Sequence, residues 1–136
     1  MLVTGIIWGL WHAPVVALGH NYGTGYPGEP FGGIAAMCAW CTVLAIFLSY
    51  VTIRTGSTFA AAIGHGAVNG TTNGVTLFSL SGGNPFVGPL CTGIVGGLPL
   101  LVVAAAMLWN MRRREKAGTL HIPEAGLPDG MRRSRR

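Results

Sequence analysis

The sequence predicts an all-α, polytopic membrane bundle of about four transmembrane helices with a disordered basic tail. Three observations carry that expectation. Half of the 136 residues are hydrophobic and only 10% are charged, with a mean hydropathy of +0.50, which is a membrane composition. The apolar residues fall into runs of about 20, the length a helix needs to span a bilayer. Eight of the nine Lys and Arg lie after the last such run.

The first run is Leu2–Leu18. It lacks a basic leader and holds His12 and Pro14, so a spanning helix fits it better than a signal peptide. A loop dense in turn formers, His20 to Pro30, follows. The second run, Ile34–Ile53, is closed by Arg54. The third starts near Ser57 and weakens towards Leu80. Residues Ser81 to Pro85 form a loop, and the fourth run, Pro89–Met111, stops at Arg112, Arg113 and Arg114. Residues 1–111 thus form a membrane-embedded helical domain and 112–136 a basic tail, whose Pro, Gly and charge without periodicity predict disorder.

Lys and Arg flanking a span mark its cytoplasmic side. Arg54 and the Arg112 cluster then orient all four spans, and the two loops expected outside contain neither residue. The expectation is a multi-pass cell-membrane protein with a cytoplasmic C-terminal tail and the lipid bilayer as its partner. The same reasoning argues against nucleic acid as a partner, since the sequence pI of about 9.7 reflects a juxtamembrane tail.

Two histidines stand inside these runs, where an ionisable side chain is costly and points to function. Both His12 and His65 lie roughly 13–15 Å from the cytoplasmic end at 1.5 Å per residue, which suggests one site between helices. His65 and Asn69 share a helix face, with Asn73 a further turn on. Imidazole can donate, accept or take a proton near neutral pH, and a carboxamide can donate to a developing oxyanion. The same pair could equally satisfy each other inside a packed bundle. Trp8 lies one turn before His12 as a possible pocket wall. Pro14 leaves the Leu10 carbonyl without its helical donor and should kink the helix beside the histidine. Trp11 and Trp40 read as ordinary apolar residues, and His20 and His121 as solvated.

Zinc is a possible cofactor, with His12 and His65 as ligands, although a catalytic zinc usually takes three protein ligands and Asn is a poor third. Cys38 and Cys41 form a C-x-x-C within an apolar run, which reads as two small residues on one helix face rather than as a redox or zinc motif. Gly5/Gly9, Gly66/Gly70 and Gly93/Gly97 are spaced for close helix approach. Packing at Gly66/Gly70 would hold His65 and Asn69 against a neighbour. No carboxylate falls within the runs, because Glu29 is in a loop and Glu115, Glu124 and Asp129 follow the last one.

Trp8-x-x-x-His12 with Pro14, followed by His65-x-x-x-Asn69, resembles the second and third motifs of the CPBP (CAAX-protease and bacteriocin-processing, or Abi) family of intramembrane proteases. Gly9 to Pro14 and Arg54 to Ser57 are similar to its bacterial members, and the resemblance covers about residues 1–110. The family often has Phe where this chain has Trp8. The resemblance implies endopeptidase cleavage of a peptide or membrane-protein substrate in or near the membrane. It implies that His12, with a glutamate from a preceding Glu-Glu-x-x-x-Arg motif, activates water, while His65 and Asn69 stabilise the oxyanion. An older reading of the family makes these residues metal ligands, as in a metalloprotease. The sequence lacks the glutamate motif, so the chain is expected to be a C-terminal part that is inactive alone. The alternatives are a non-catalytic scaffold or bacteriocin-immunity protein keeping the fold, a metal- or haem-binding bundle, or a transporter fragment.

Overall fold

The computed structural model describes residues 1–78, 84, 86–88 and 90–120, without side chains from 73 to 78. Five helices occur in the order α1 (Leu2–Trp11), α2 (Ala13–Ala17), α3 (Phe31–Thr55), α4 (Thr58–Phe78) and α5 (Ile94–Lys116). There is no strand among the described residues.

Helix α3 is the organiser, since α1, α2, α4 and α5 all pack on it. Its 25 residues would span about 37 Å, and it ends at Gly56 in the left-handed conformation (φ 67°), where the glycine N–H closes onto the Thr52 carbonyl. A glycine there removes the Cβ penalty of that geometry. Helices α3 and α5 are long and apolar enough to cross a membrane.

The other two expected spans differ from that reading. The run Leu2–Leu18 is not one helix: it breaks at His12, leaving a ten-residue α1 and a five-residue α2. Pro14 in the first turn of α2 is the cause, because proline fits a helix start and obstructs a helix interior. Helix α4 has the length of a span, but His65, Asn69, Thr71 and Thr72 make it the more polar partner.

The fourth run also shifts. Its helix begins at Ile94, after turns in which Gly88 N–H reaches the Asn84 carbonyl and Ile94 N–H reaches Phe86. It then runs through the basic cluster to Lys116 rather than stopping at Arg112. Arg and Lys are good helix formers and suit the negative C-terminal end of the helix dipole. Residues 121–136, with His121 and most of the expected disordered tail, lie outside the described residues, as do Ser81–Gly83 and Pro85 and the side chain of Asn73.

Close packing is concentrated between α1 and α3. A Cβ at Gly5 would collide with the Thr42 backbone, and one at Gly9 with that of Cys38. The two helices therefore touch backbone to backbone, and Cys38 Sγ lies 3.7 Å from the Ile6 carbonyl. Gly66 and Gly70 behave otherwise: both are exposed, and a Cβ at either would meet nothing within 4 Å. Among the described residues nothing packs on that stripe, so it does not hold the polar pair as expected. Gly93 and Gly97 approach the Gly88 and Cys91 carbonyls of their own preceding turn rather than another helix.

The core of Val16, Tyr22, Tyr26, Met37 and Cys41 ties the loop after α2 to α3. Phe86 stacks on Tyr22 at 5.3 Å and meets the Tyr26 ring edge-on at 5.0 Å. The loop before α5 is thereby fixed beside the loop after α2.

Candidate functional site

The helix break creates the first half of the site. In an unbroken helix the His12 N–H would bond the Trp8 carbonyl. Here it turns to the Gly9 carbonyl at 3.1 Å, and the imidazole takes its place, with Nδ1 donating to Trp8 O at 2.8 Å. A carbonyl oxygen only accepts, so Nδ1 carries the proton. Nε2 of the neutral ring is left with its lone pair free, as a base or a ligand needs.

Helix α4 supplies the second half. Asn69 Nδ2 donates to His65 Nε2 at 3.3 Å, as their spacing of four residues allows. An amide nitrogen has no acceptor capacity, so the His65 proton sits on Nδ1. That proton and the second amide hydrogen of Asn69 remain as donors for a ligand.

Trp8 joins the halves. Its ring centroid lies 6.1 Å from that of His12 and 5.1 Å from that of His65, edge-on to the latter. Trp11 meets the His12 ring edge-on at 5.2 Å. His12 and His65 are half-buried and Asn69 is exposed. All of these side chains line one cavity of about 320 Å³, with Trp40 and Cys41 from α3 and Thr92 from the turn before α5. A second, mainly apolar cavity of about 330 Å³ shares Val68 and Thr72 with it and continues along α4 to Leu90, Cys91 and Leu100.

Among the lining residues that the sequence reading did not assign to the site, Trp11 and Trp40 were read as ordinary apolar residues, and three are polar groups from the loops. His20 and Asn21 line the main cavity, because the loop folds back where Tyr22 is buried against Phe86. Nothing in the local sequence gives that return path. Thr92 is the third: its hydroxyl is buried and has no hydrogen-bond partner among the described residues, and the Tyr22 hydroxyl shares that condition. Burial, followed by the neighbouring Cys41 thiol, pushes the Tyr22 phenol above its ordinary range. Cys38, Cys41 and Cys91 are free thiols.

Two features limit the chemistry. No Asp or Glu lines the main cavity among the described residues; Glu29 instead accepts from the Gly25 N–H in the loop. Nor does any group of three His, Cys, Asp or Glu side chains among the described residues stand so as to hold a metal ion. Two imidazoles fall short of the three protein ligands of a catalytic zinc, so these residues alone do not fit that ion.

A backbone-captured histidine thus faces a histidine–asparagine pair across Trp8, in a cavity that the apolar helix α3 also lines. The chain belongs to the Rce1-like type II CAAX prenyl endopeptidase family, whose model matches residues 1–71. That range ends two residues after Asn69 and so contains Trp8, His12, His65 and Asn69. No curated protein and no solved structure matches the chain. The family and the two apolar helices make this a membrane protein of a protease family.

Proposed function

We propose that this chain carries the water-activating histidine and the oxyanion donors of a membrane endopeptidase that cleaves peptide bonds in or near the bilayer. The observation that carries the reading is the opposed hydrogen bonding of the two histidine rings around Trp8, one to a carbonyl and one to an amide nitrogen. His12 offers a free Nε2 lone pair, whereas His65 and Asn69 offer hydrogens. Peptide hydrolysis needs both: a base to take a proton from water, and donors aimed at the tetrahedral oxygen.

His12 Nε2 orients and deprotonates water together with a carboxylate from a Glu-Glu-x-x-x-Arg motif that these 136 residues do not contain. His65 Nδ1–H and Asn69 Nδ2–H bind the oxyanion, and Trp8 sets the distance between the two actions. A prenylated peptide suits the mixed character of the paired cavities, with the peptide beside the histidines and the hydrocarbon along Val68, Leu90 and Leu100. The chain crosses the cell membrane several times, with its C-terminal tail in the cytoplasm; an impermeant thiol reagent should therefore label Asn21→Cys but not Ser134→Cys in intact cells.

The test is hydrolysis of a farnesylated peptide by the purified chain in lipid vesicles. Residues 1–136 alone should be inactive, because general-base activation contributes about 10²–10⁴ in rate and oxyanion donors about 10²–10³. Supplying a segment with the glutamate motif should produce cleavage that His12→Ala and His65→Ala each reduce at least about a hundredfold. His65-dependent cleavage by residues 1–136 alone would refute the glutamate mechanism. A silent reconstituted protein would favour a non-catalytic scaffold that keeps the fold.

A further inference from the structure

The last two turns of α5 present a face that the catalytic reading does not use. Trp109, Arg112, Arg113 and Lys116 follow the spacing i, i+3, i+4, i+7, so they occupy one side of the helix. The buried positions of α5, Ala104 and Met111, project from roughly the opposite side at 100° per residue. The four side chains therefore point away from α3. Trp109 is 61% exposed, and the Arg113 guanidinium lies 5.0 Å from its ring centroid.

Position along the axis matters as much as direction. Ile94 to Met111 covers about 27 Å at 1.5 Å per residue, close to the hydrocarbon thickness of a bilayer. Arg112, Arg113 and Lys116 then stand at headgroup depth, with Trp109 at the boundary that tryptophan favours. None of these cations has an ion-pair partner among the described residues; Glu115 stands one turn from Arg112 and leaves the face with a net positive charge. Nor are the cations occupied in closing the helix, whose last carbonyls are met by the N–H groups of Ala117, Gly118, Thr119 and Leu120.

We propose that this face is a binding site for the phosphate of an anionic phospholipid. Arg112 and Lys116 clamp the phosphate, Arg113 reaches it while stacked on Trp109, and the indole packs along the upper acyl chain. Arginine suits planar contact with phosphate oxygens, and lysine adds a point charge. The occupant is a lipid rather than a soluble anion because an exposed indole and three cations adjoin the end of an apolar span.

Native mass spectrometry of the full chain, released from detergent with phosphatidylglycerol or phosphatidylcholine, tests the site. The wild type should retain phosphatidylglycerol preferentially. The triple variant Arg112→Gln, Arg113→Gln and Lys116→Gln should lose that preference by at least about tenfold, while Arg112→Lys retains most of it. The charge-matched control Arg114→Gln, Arg132→Gln and Arg133→Gln should behave as wild type, since Arg114 is off the face. Inorganic phosphate at millimolar concentration should not displace the lipid. Equal loss in the control triple would show a net-charge effect, and displacement by inorganic phosphate would show a simple anion site. Either result overturns the proposal.

Discussion

The α1–α3 contact and the exposed stripe of α4 carry the same sequence device with opposite outcomes. Gly5 and Gly9 are spaced like Gly66 and Gly70, yet the first pair lies against the α3 backbone and the second faces open space. The difference lies in what stands opposite. Cys38 and Thr42 are small and also spaced by four, so two narrow surfaces meet, and the Thr42 hydroxyl is directed back to the Cys38 carbonyl at 2.8 Å. The consequence is a division of labour. The tight contact seats α1 and fixes where its broken end places His12. The Gly66/Gly70 stripe takes no part in seating α4, whose other side turns His65 and Asn69 to the cavity.

The sharpest way to break that contrast is to add side chains to both stripes. Gly9→Val drives two methyl groups into the Cys38 backbone, and overpacking of that kind costs about 3 kcal/mol or more. Gly70→Ala meets nothing and should stabilise by about 0.5–1 kcal/mol through helix propensity. Unfolding in detergent, followed by circular dichroism, separates the two. Equal effects would mean that the two stripes are packed alike.

A smaller effect should sharpen the account of the helix break. Pro14→Ala permits the helix to continue, returning the His12 N–H to the Trp8 carbonyl and displacing the imidazole. The fraction of His12 protonated on Nδ1 should then fall, read from ¹⁵N shifts of the ring in the labelled protein. An unchanged tautomer would detach the histidine's state from the break.

The smallest effect concerns the loop that brings His20 and Asn21 to the cavity. The Tyr22 hydroxyl is buried without a partner, so Tyr22→Phe should leave stability unchanged or raise it by about 1 kcal/mol at neutral pH. At high pH the sign is fixed by linkage. The folded phenol has its pKa raised above the unfolded value, so its contribution is present below about pH 10 and is lost as pH climbs beyond that value. Alkaline destabilisation should be weaker in Tyr22→Phe than in wild type, by titration of the unfolding transition.

Much of this was legible in the chain because apolar runs and proline act locally. Arg54 closes the second run and stands in the last turn of α3, and Pro14 gave the bend beside His12. The capture of the Trp8 carbonyl by the His12 ring was not legible, since a kinked but hydrogen-bonded helix fits the same residues. Nor was the difference between the glycine pairs, which depends on the surface opposite. His20 is an exposed loop histidine, as its sequence context suggests. Its place at the cavity rim was not legible, because it is set by the Tyr22–Phe86 stack, a contact 64 positions apart in sequence. The basic cluster ends the hydrophobicity and so the apolar run, but not the helix, which arginine and lysine extend readily to Lys116.

The central claim is that His12 and His65 flank Trp8 in one cavity, and proximity tests it most directly. The two ring-centroid distances to Trp8 leave the imidazoles no farther apart than those two steps combined. With Cys38, Cys41 and Cys91 replaced by alanine, His12→Cys and His65→Cys should be joined by a short bifunctional thiol reagent. The reference pair, in a protein in which only Cys38 and Cys41 are replaced, is Thr72→Cys with the native Cys91; the Thr72 Oγ1 and Cys91 Sγ atoms lie 3.0 Å apart. The account predicts cross-linking of positions 12 and 65 at a yield comparable to that reference. Efficient reaction of the reference with none between 12 and 65, in protein of unchanged helicity, would contradict it.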